Sequence, residues 1–288
     1  MKPVHRDNEM GFQAWLRSGE LKHRAHTHHD AELNHVLCGW SEYLLGGRRF
    51  RMQAGQTYLF WASLPHQRVD AADGTQMGWV VLPVSWLWRW RMPMASAVAL
   101  LQGEMLRDPD PQVDDARSIA RWADMLQRDD AAWRQLAELE VEARIRRMML
   151  LGFEGVQPAS SPRLAGRAGR SAIDPVARVE AMAAFLTRHS HEQLSVADVA
   201  RHVTLEPSYA MRQFRQAMGM TMIEYLTRQR VAEVKRRLMT SDRPLLTIAY
   251  DCGFGSASRF HEAFRRLTGT TPAAYRDSLR PHIHSPDR

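Results

Sequence analysis

Three histidines and a glutamate stand at spacings that could build a site. His26, His28 and Glu32 lie close together in the chain, and His66 follows after a stretch of strand-like sequence. Imidazole nitrogens and a carboxylate oxygen are the donors a divalent ion takes. The same groups can hydrogen-bond the hydroxyls of a small ligand. The first reading here is a set of polar effector-binding groups. A metal ion is the alternative, and structural or surface histidines are the bland reading, so no cofactor is expected. Trp61 and Trp79 lie nearby and offer faces on which the C–H side of a sugar ring could stack.

A second constellation is rich in arginine. Ser208, Tyr209, Arg212, Arg215 and Gln216 fall opposite an apolar stripe of Ala210, Phe214 and Ala217. Ser258, Arg259, His261, Glu262, Arg265 and Arg266 fall opposite Phe260, Phe264 and Leu267 in the same way. Arginine serves either phosphate oxygens or guanine edges. These eleven residues are therefore the candidate DNA contacts. Glu262 repels phosphate, although it could accept from a cytosine amino group.

Positioning those side chains needs two repeated helical units. In the second, Leu246, Ile248 and Ala249 are the apolar positions of a short helix, Gly253 supplies a sharp turn, and Ser256 caps the next helix, which Gly269 closes. In the first, Ser195 and Asp198 form a capping box, Val199 and Ala200 match Ile248 and Ala249, Phe214 matches Phe264, and Gly219 matches Gly269. An internal repeat of this kind argues that both copies do one job. Thr221 and Glu224 open a connecting helix that runs to about Thr240. Twenty helical residues rise roughly 30 Å, close to the roughly 34 Å between successive major-groove faces of one duplex.

The histidines need a different frame. From about Gly11 to Leu82 apolar and polar residues alternate, and glycines punctuate them, as in short strands. Gly46-Gly47 is a hairpin signal, and the whole reads as a small β-barrel. Trp86, Trp88 and Trp90 fit either a strand or a helix begun after Pro83. From Ala95 to Phe153 the pattern turns helical. Asp114 to Leu126 is one amphipathic segment, and Ala131 to Leu151 is another, with Trp133, Leu136, Leu139, Ile145, Met148 and Met149 as its apolar positions. The pair could cover the barrel or meet a second copy of itself. The expected class is thus α+β. Residues 1–153 form an effector-binding and dimerisation domain, 154–174 a flexible linker, and 175–280 an all-α domain with two helix-turn-helix units.

Composition agrees. Of 288 residues 44% are hydrophobic, enough for two cores, and the net charge is +7. Residues 175–280 hold 16 Lys and Arg against 10 Asp and Glu. The positive excess therefore concentrates in the helical part, as phosphate contact requires. No apolar run approaches a membrane span, no leader-type segment is read at the start, and Cys38 and Cys252 fall in different expected domains. A cytoplasmic protein without a disulfide is expected.

Gly253, Phe254, Ser256, Ser258, Phe260, Phe264, Gly269, Thr271, Pro272, Tyr275 and Arg276 together resemble the C-terminal signature of the AraC family of transcription regulators. The departures are Thr204 where a turn Gly is common, Glu206 where a capping Ser is common, and Glu262 where Arg is common. The run His26, His28, Glu32, Gly39, then Gly55, Pro65 and His66, resembles the two motifs of the cupin barrel, the second more loosely because Trp61 and Ser63 replace Pro and Gly. Leu59-Phe60-Trp61-Ala62, Pro65-His66-Gln67, Tyr209-Ala210-Met211 and Thr221-Met222 resemble one sugar-responsive branch of the AraC family. The resemblance implies a non-enzymatic activator of carbohydrate-use genes. It would bind promoter DNA as a homodimer, take a small sugar in the barrel and engage RNA polymerase. The competing function is a metal-binding cupin, sensor or enzyme, fused to a DNA-binding module.

Overall fold

Strand alternation sorts the first half of the chain onto two sheets. The computed structural model describes residues 11–18, 24–159 and 175–283. His5, His23 and most of the expected linker lie outside the described residues. In order come β1 (Gln13–Ser18), β2 (Asp30–Cys38), β3 (Trp40–Leu45), β4 (Arg48–Gln53), β5 (Thr57–Trp61), β6 (His66–Ala71) and β7 (Gln76–Pro83). Then follow α1 (Val84–Arg89), α2 (Met94–Leu101), β8 (Leu106–Arg107), α3 (Asp115–Gln127), α4 (Ala131–Leu151) and β9 (Glu154–Gly155). The helical part comprises α5 (Pro175–Arg188), α6 (Val196–His202), α7 (Pro207–Met218), α8 (Met222–Thr240), α9 (Leu245–Asp251), α10 (Ala257–Thr268) and α11 (Pro272–Ile283).

The larger sheet has the order β1-β7-β2-β5-β8-β9, the smaller β4-β3-β6, and every pair is antiparallel. Between them Val36, Tyr43, Leu45, Phe50, Met52, Tyr58, Phe60 and Met77 form the barrel core. The opposite face of the larger sheet, with Ala31, Leu33, Leu59, Trp61, Val80 and Leu82, packs under helices. Strand β5 is buried along its whole length because it is covered on both sides. Gly46 and Gly47 make the β3–β4 turn with φ of 55° and 78°. A Cβ on Gly47 would lie 2.7 Å from the backbone nitrogen of Ala184 in α5, so only glycine lets this hairpin tip meet the helical domain.

One open alternative resolves and one expectation changes. The tryptophan triplet is helical, with Trp86 and Trp90 one turn apart and their rings 5.5 Å from each other. Glu154–Ala159 do not start the linker but run along the barrel. Val156 donates to the Met105 carbonyl, and the Ala159 amide to that of Arg49. The apolar positions of α4 also split between two faces. Ala137, Val141, Ile145 and Met148 are buried against the barrel, whereas Trp133, Leu136, Leu139 and Leu150 are exposed.

The helical half follows its local signals. Capping boxes form at Ser195 with Asp198 and at Thr221 with Glu224. Ser256 caps α10 through the Arg259 amide, and Gly219 and Gly269 end α7 and α10 in the left-handed conformation. Gly253 has φ of 88°, and a Cβ there would lie 2.7 Å from the Ser190 carbonyl oxygen. Thr204 occupies the matching turn at φ of 56°. A β-branched residue is strained there. Thr204→Gly is expected to raise stability by about 1 kcal/mol, the left-handed cost relieved less the extra freedom of glycine in the unfolded chain. A denaturant midpoint that stays put or falls contradicts this.

Candidate nucleic-acid interface and histidine cluster

Each candidate recognition helix is held from behind and bare in front. Helix α7 buries Ala210, Phe214 and Met218 against α5, α6 and α8, with Phe214 edge-on to Tyr225 at 5.5 Å. Helix α10 buries Phe260, Ala263 and Phe264 against Val231, Val234 and Leu238 of α8. The exposed faces carry Ser208, Tyr209, Arg212, Arg215 and Gln216 on α7, and Ser258, Arg259, His261, Glu262, Arg265 and Arg266 on α10. All eleven are solvent-exposed, so the structure brings each set onto one open surface. Helix α8 between them has 19 residues, a rise of about 28 Å. The unusual Glu206 caps α7 by accepting from the Tyr209 amide at 2.9 Å, doing a serine's work. Its carboxyl is held below the usual range, chiefly by the Ser208 and Tyr209 amides. The Arg212 guanidinium lies 5.2 Å from the Tyr209 ring centroid, which orients both side chains from one turn.

In the barrel, His28, Glu32 and His66 are buried and meet at its mouth, with His26 half-buried beside them. Glu32 Oε1 lies 2.8 Å from His28 Nε2 and 3.3 Å from His66 Nε2. The His26 and His66 rings are 4.2 Å apart, and their backbones form a β-bridge. One donor atom from each of the four residues falls within 4.8 Å of the others. Burial alone would lower the His28 pKa, but hydrogen bonds to Asp30 and Glu32 outweigh it and bring it to about 9. Burial would raise Glu32, yet the bonds from His28 and His66 hold it well below the carboxylate range. The cluster is thus a buried hydrogen-bonded group centred on Glu32.

Of the two aromatic residues assigned to an effector, Trp79 shares the barrel interior and donates through Nε1 to the Tyr43 hydroxyl at 3.0 Å. Trp61 does not join it. It is fully buried on the opposite face of β5 and lines a cavity of about 420 Å³ between the sheet and the helical domain, with Arg48, Gln229, Glu233 and Arg236. Strand parity explains the difference: Phe60 faces inward, so Trp61 faces out. The sequence reading missed Arg68, which is paired with Tyr43 across β3 and β6 and is buried. Its Nε donates to Ser41, while among the described residues Nη1 and Nη2 have no hydrogen-bond partner, and neither has Asn34 Oδ1. An isolated arginine in a strand gives no sequence signal of that environment.

These features define a helix-turn-helix DNA-binding protein with an N-terminal β-barrel. Residues 199–278 match the family model of a helix-turn-helix domain. The Melibiose operon regulatory protein of Escherichia coli (strain K12) is 29% identical over 266 residues, 91% of this chain and 86% of that protein. An AraC-like transcription regulator of Streptomyces antibioticus is 34% identical over 134 residues, 46% of this chain and 42% of that one. Among solved structures, the DNA-binding domain of AdpA, a global transcriptional factor, in complex with a target DNA is 36% identical. That match covers 38% of this chain and 96% of that one, with a TM-score of 0.35. Residues 199–278 thus form an AraC-type helix-turn-helix domain, and the relatives that the chain resembles are transcription regulators rather than enzymes. Among the described residues no helix is long and apolar enough to cross a membrane.

Proposed function

We propose that the chain activates carbohydrate-use genes by binding promoter DNA through α7 and α10 when a small sugar occupies the barrel. The carrying observation is the pair of arginine-bearing faces left open at the two ends of one 19-residue helix. Arg212, Arg215, Arg259, Arg265 and Arg266 meet phosphates or guanines. Ser208 and Ser258 lie at the helix starts near base edges, and Tyr209, Gln216, His261 and Glu262 flank them. Arg212→Ala is expected to weaken binding of the full chain to its promoter by about 1–3 kcal/mol if the guanidinium is bidentate to a base. An unchanged affinity at fixed salt contradicts that role.

The sugar reading draws on the relatives, named for melibiose and arabinose operons, and on the barrel's polar interior. Arg68, Asn34, Tyr43 and Trp79 can offer hydroxyl partners and a stacking face beside the cluster of His26, His28, Glu32 and His66. A thermal-shift screen with mono- and disaccharides tests it, because a ligand of the folded state at 100 times its Kd adds about 2.7 kcal/mol of stability. Arg68→Ala should remove the shift and Trp61→Phe should keep it. The opposite pattern moves the effector to the cavity beneath Trp61, and no shift with any sugar rejects a sugar effector.

The dimer is proposed on the exposed stripe of α4. Leu136, Leu139, Ala143 and Leu150 recur on one helical face away from the buried one, a surface suited to a second copy. Contact with RNA polymerase follows only from the activator role.

A further inference from the structure

Arg68 of β6 reaches into the barrel beside Tyr43 and is only 5% exposed. Its Nε donates to the Ser41 hydroxyl at 2.7 Å, which fixes the plane of the guanidinium. Nη1 and Nη2 are buried, and neither has a hydrogen-bond partner among the described residues. These two nitrogens form the forked end of the group, whose parallel N–H bonds match the two oxygens of a carboxylate. Burial lowers the Arg68 pKa, yet a guanidinium stays charged at neutral pH.

The buried carboxylates of the same domain are engaged elsewhere. Asp30 and Glu32 face His28, and Glu32 also faces His66. Glu42 pairs with Arg49 and Arg51, and Asp108 and Asp115 pair with Arg144. Tyr43 is no counter-ion, because burial pushes its hydroxyl pKa up and keeps it neutral. A buried charge without an opposite partner is strongly unfavourable, so a residue serving only the fold is badly placed here. The groups around it are those of a binding site. Asn34 Oδ1 is buried with no hydrogen-bond partner among the described residues. Trp79 donates to the Tyr43 hydroxyl at 3.0 Å and is only half-buried, so the set borders solvent on that side.

We propose that the barrel's effector is a carbohydrate acid, a uronate or aldonate, whose carboxylate takes both terminal nitrogens of Arg68 while a hydroxyl donates to Asn34 Oδ1. This rests on the sugar reading above and narrows it to sugars that bear one carboxylate. The hydroxyls of a neutral sugar can accept from the guanidinium but leave its charge unbalanced. A phosphate monoester brings nearly two charges against one guanidinium. Arg68 is thus the residue that sets specificity between an acid and its parent sugar.

The full chain, without DNA, is screened by thermal shift and calorimetry at neutral pH and fixed ionic strength. The ligands are matched sets: galactose, galacturonate and galactonate, then glucose, glucuronate, gluconate and glucose-6-phosphate. At least one acid should raise the melting temperature, and its neutral sugar at the same concentration should not. Arg68→Met removes the charge and keeps the bulk. It should weaken that acid about 100-fold or more, while the ligand-free melting temperature holds or rises because a buried unpaired charge is gone. Arg68→Lys keeps the charge without the fork, and its affinity should fall between those of wild type and Arg68→Met. A shift from neutral sugars alone, or a larger one from glucose-6-phosphate, overturns the carboxylate and leaves the sugar reading standing. Acid binding left intact by Arg68→Met or Arg68→Lys overturns the assignment to Arg68. An Arg68→Met chain that melts earlier, or does not fold, overturns the unbalanced charge. No shift with any member of the set overturns this inference together with the sugar reading.

Discussion

Phe264→Ala should cost about 3–5 kcal/mol of stability and remove promoter binding. The ring is fully buried, edge-on to Phe260 at 5.8 Å and to Tyr275 at 5.6 Å. It sits where α8, α9, α10 and α11 converge, so its truncation opens a cavity in their shared core. Without that ring α10 loses its hold on α8, and the face bearing Arg259, Arg265 and Arg266 loses its orientation. Phe214→Ala should behave alike in the first unit, since Phe214 is equally buried and meets Tyr225 in the same edge-on way. Arg265→Ala is the control: it should lower DNA affinity while leaving the denaturation midpoint in place, because its side chain is exposed. A Phe264→Ala protein with an unshifted midpoint would mean that α10 is not held by this core.

Arg144→Ala is expected to destabilise the barrel by about 3–5 kcal/mol, for an electrostatic reason. Arg144 of α4 binds Asp115 through Nε at 2.7 Å and through Nη2 at 2.8 Å, and it also pairs with Asp108. Both carboxylates are almost fully buried. Removing the guanidinium strands two negative charges away from water. Burial would raise the Asp115 pKa, but the bonds from Arg144 overcome it and hold the carboxyl below its ordinary value. A depressed folded-state pKa gives stability that is fully present above the unfolded value and lost as pH falls through the folded one. In Arg144→Ala the stranded carboxylates instead gain by protonation. The gap between wild type and variant, measured by urea unfolding, should therefore narrow from pH 7 toward about pH 4. A gap that is small at neutral pH, or that widens in acid, contradicts the buried-pair account.

The helical domain was legible because its signals are local. Capping boxes, closing glycines and stripes at three- and four-residue spacing each lie within a dozen residues, and the second copy confirms the first. The His26–His66 cluster was also legible, since a known spacing pattern brings distant strands together. Trp61 was not. In a strand buried on both faces, Phe60 and Trp61 are equally apolar, and nothing in their types tells which one looks inward. Arg68 and Lys235 were invisible for a related reason: their burial is set by partners far away in the chain, Ser41 for the first, Ser63 and His29 for the second. The contacts of Ala25 with the Met218 carbonyl and of His29 with the Leu267 carbonyl belong to the same class. The two faces of α4 were half visible, because its apolar positions were evident but their division between a buried and an exposed face depends on where the sheet lies.

Hydroxyl-radical footprinting of the full-length chain on a promoter fragment recovered by genome-wide mapping tests the central claim most directly. Two recognition helices carried by one α8 rod should leave two protected windows on the same face of the duplex, centred about 10–10.5 base pairs apart. Arg212→Ala should weaken one window and Arg265→Ala the other. A single window, or two windows on opposite faces of the duplex, would contradict simultaneous reading by α7 and α10.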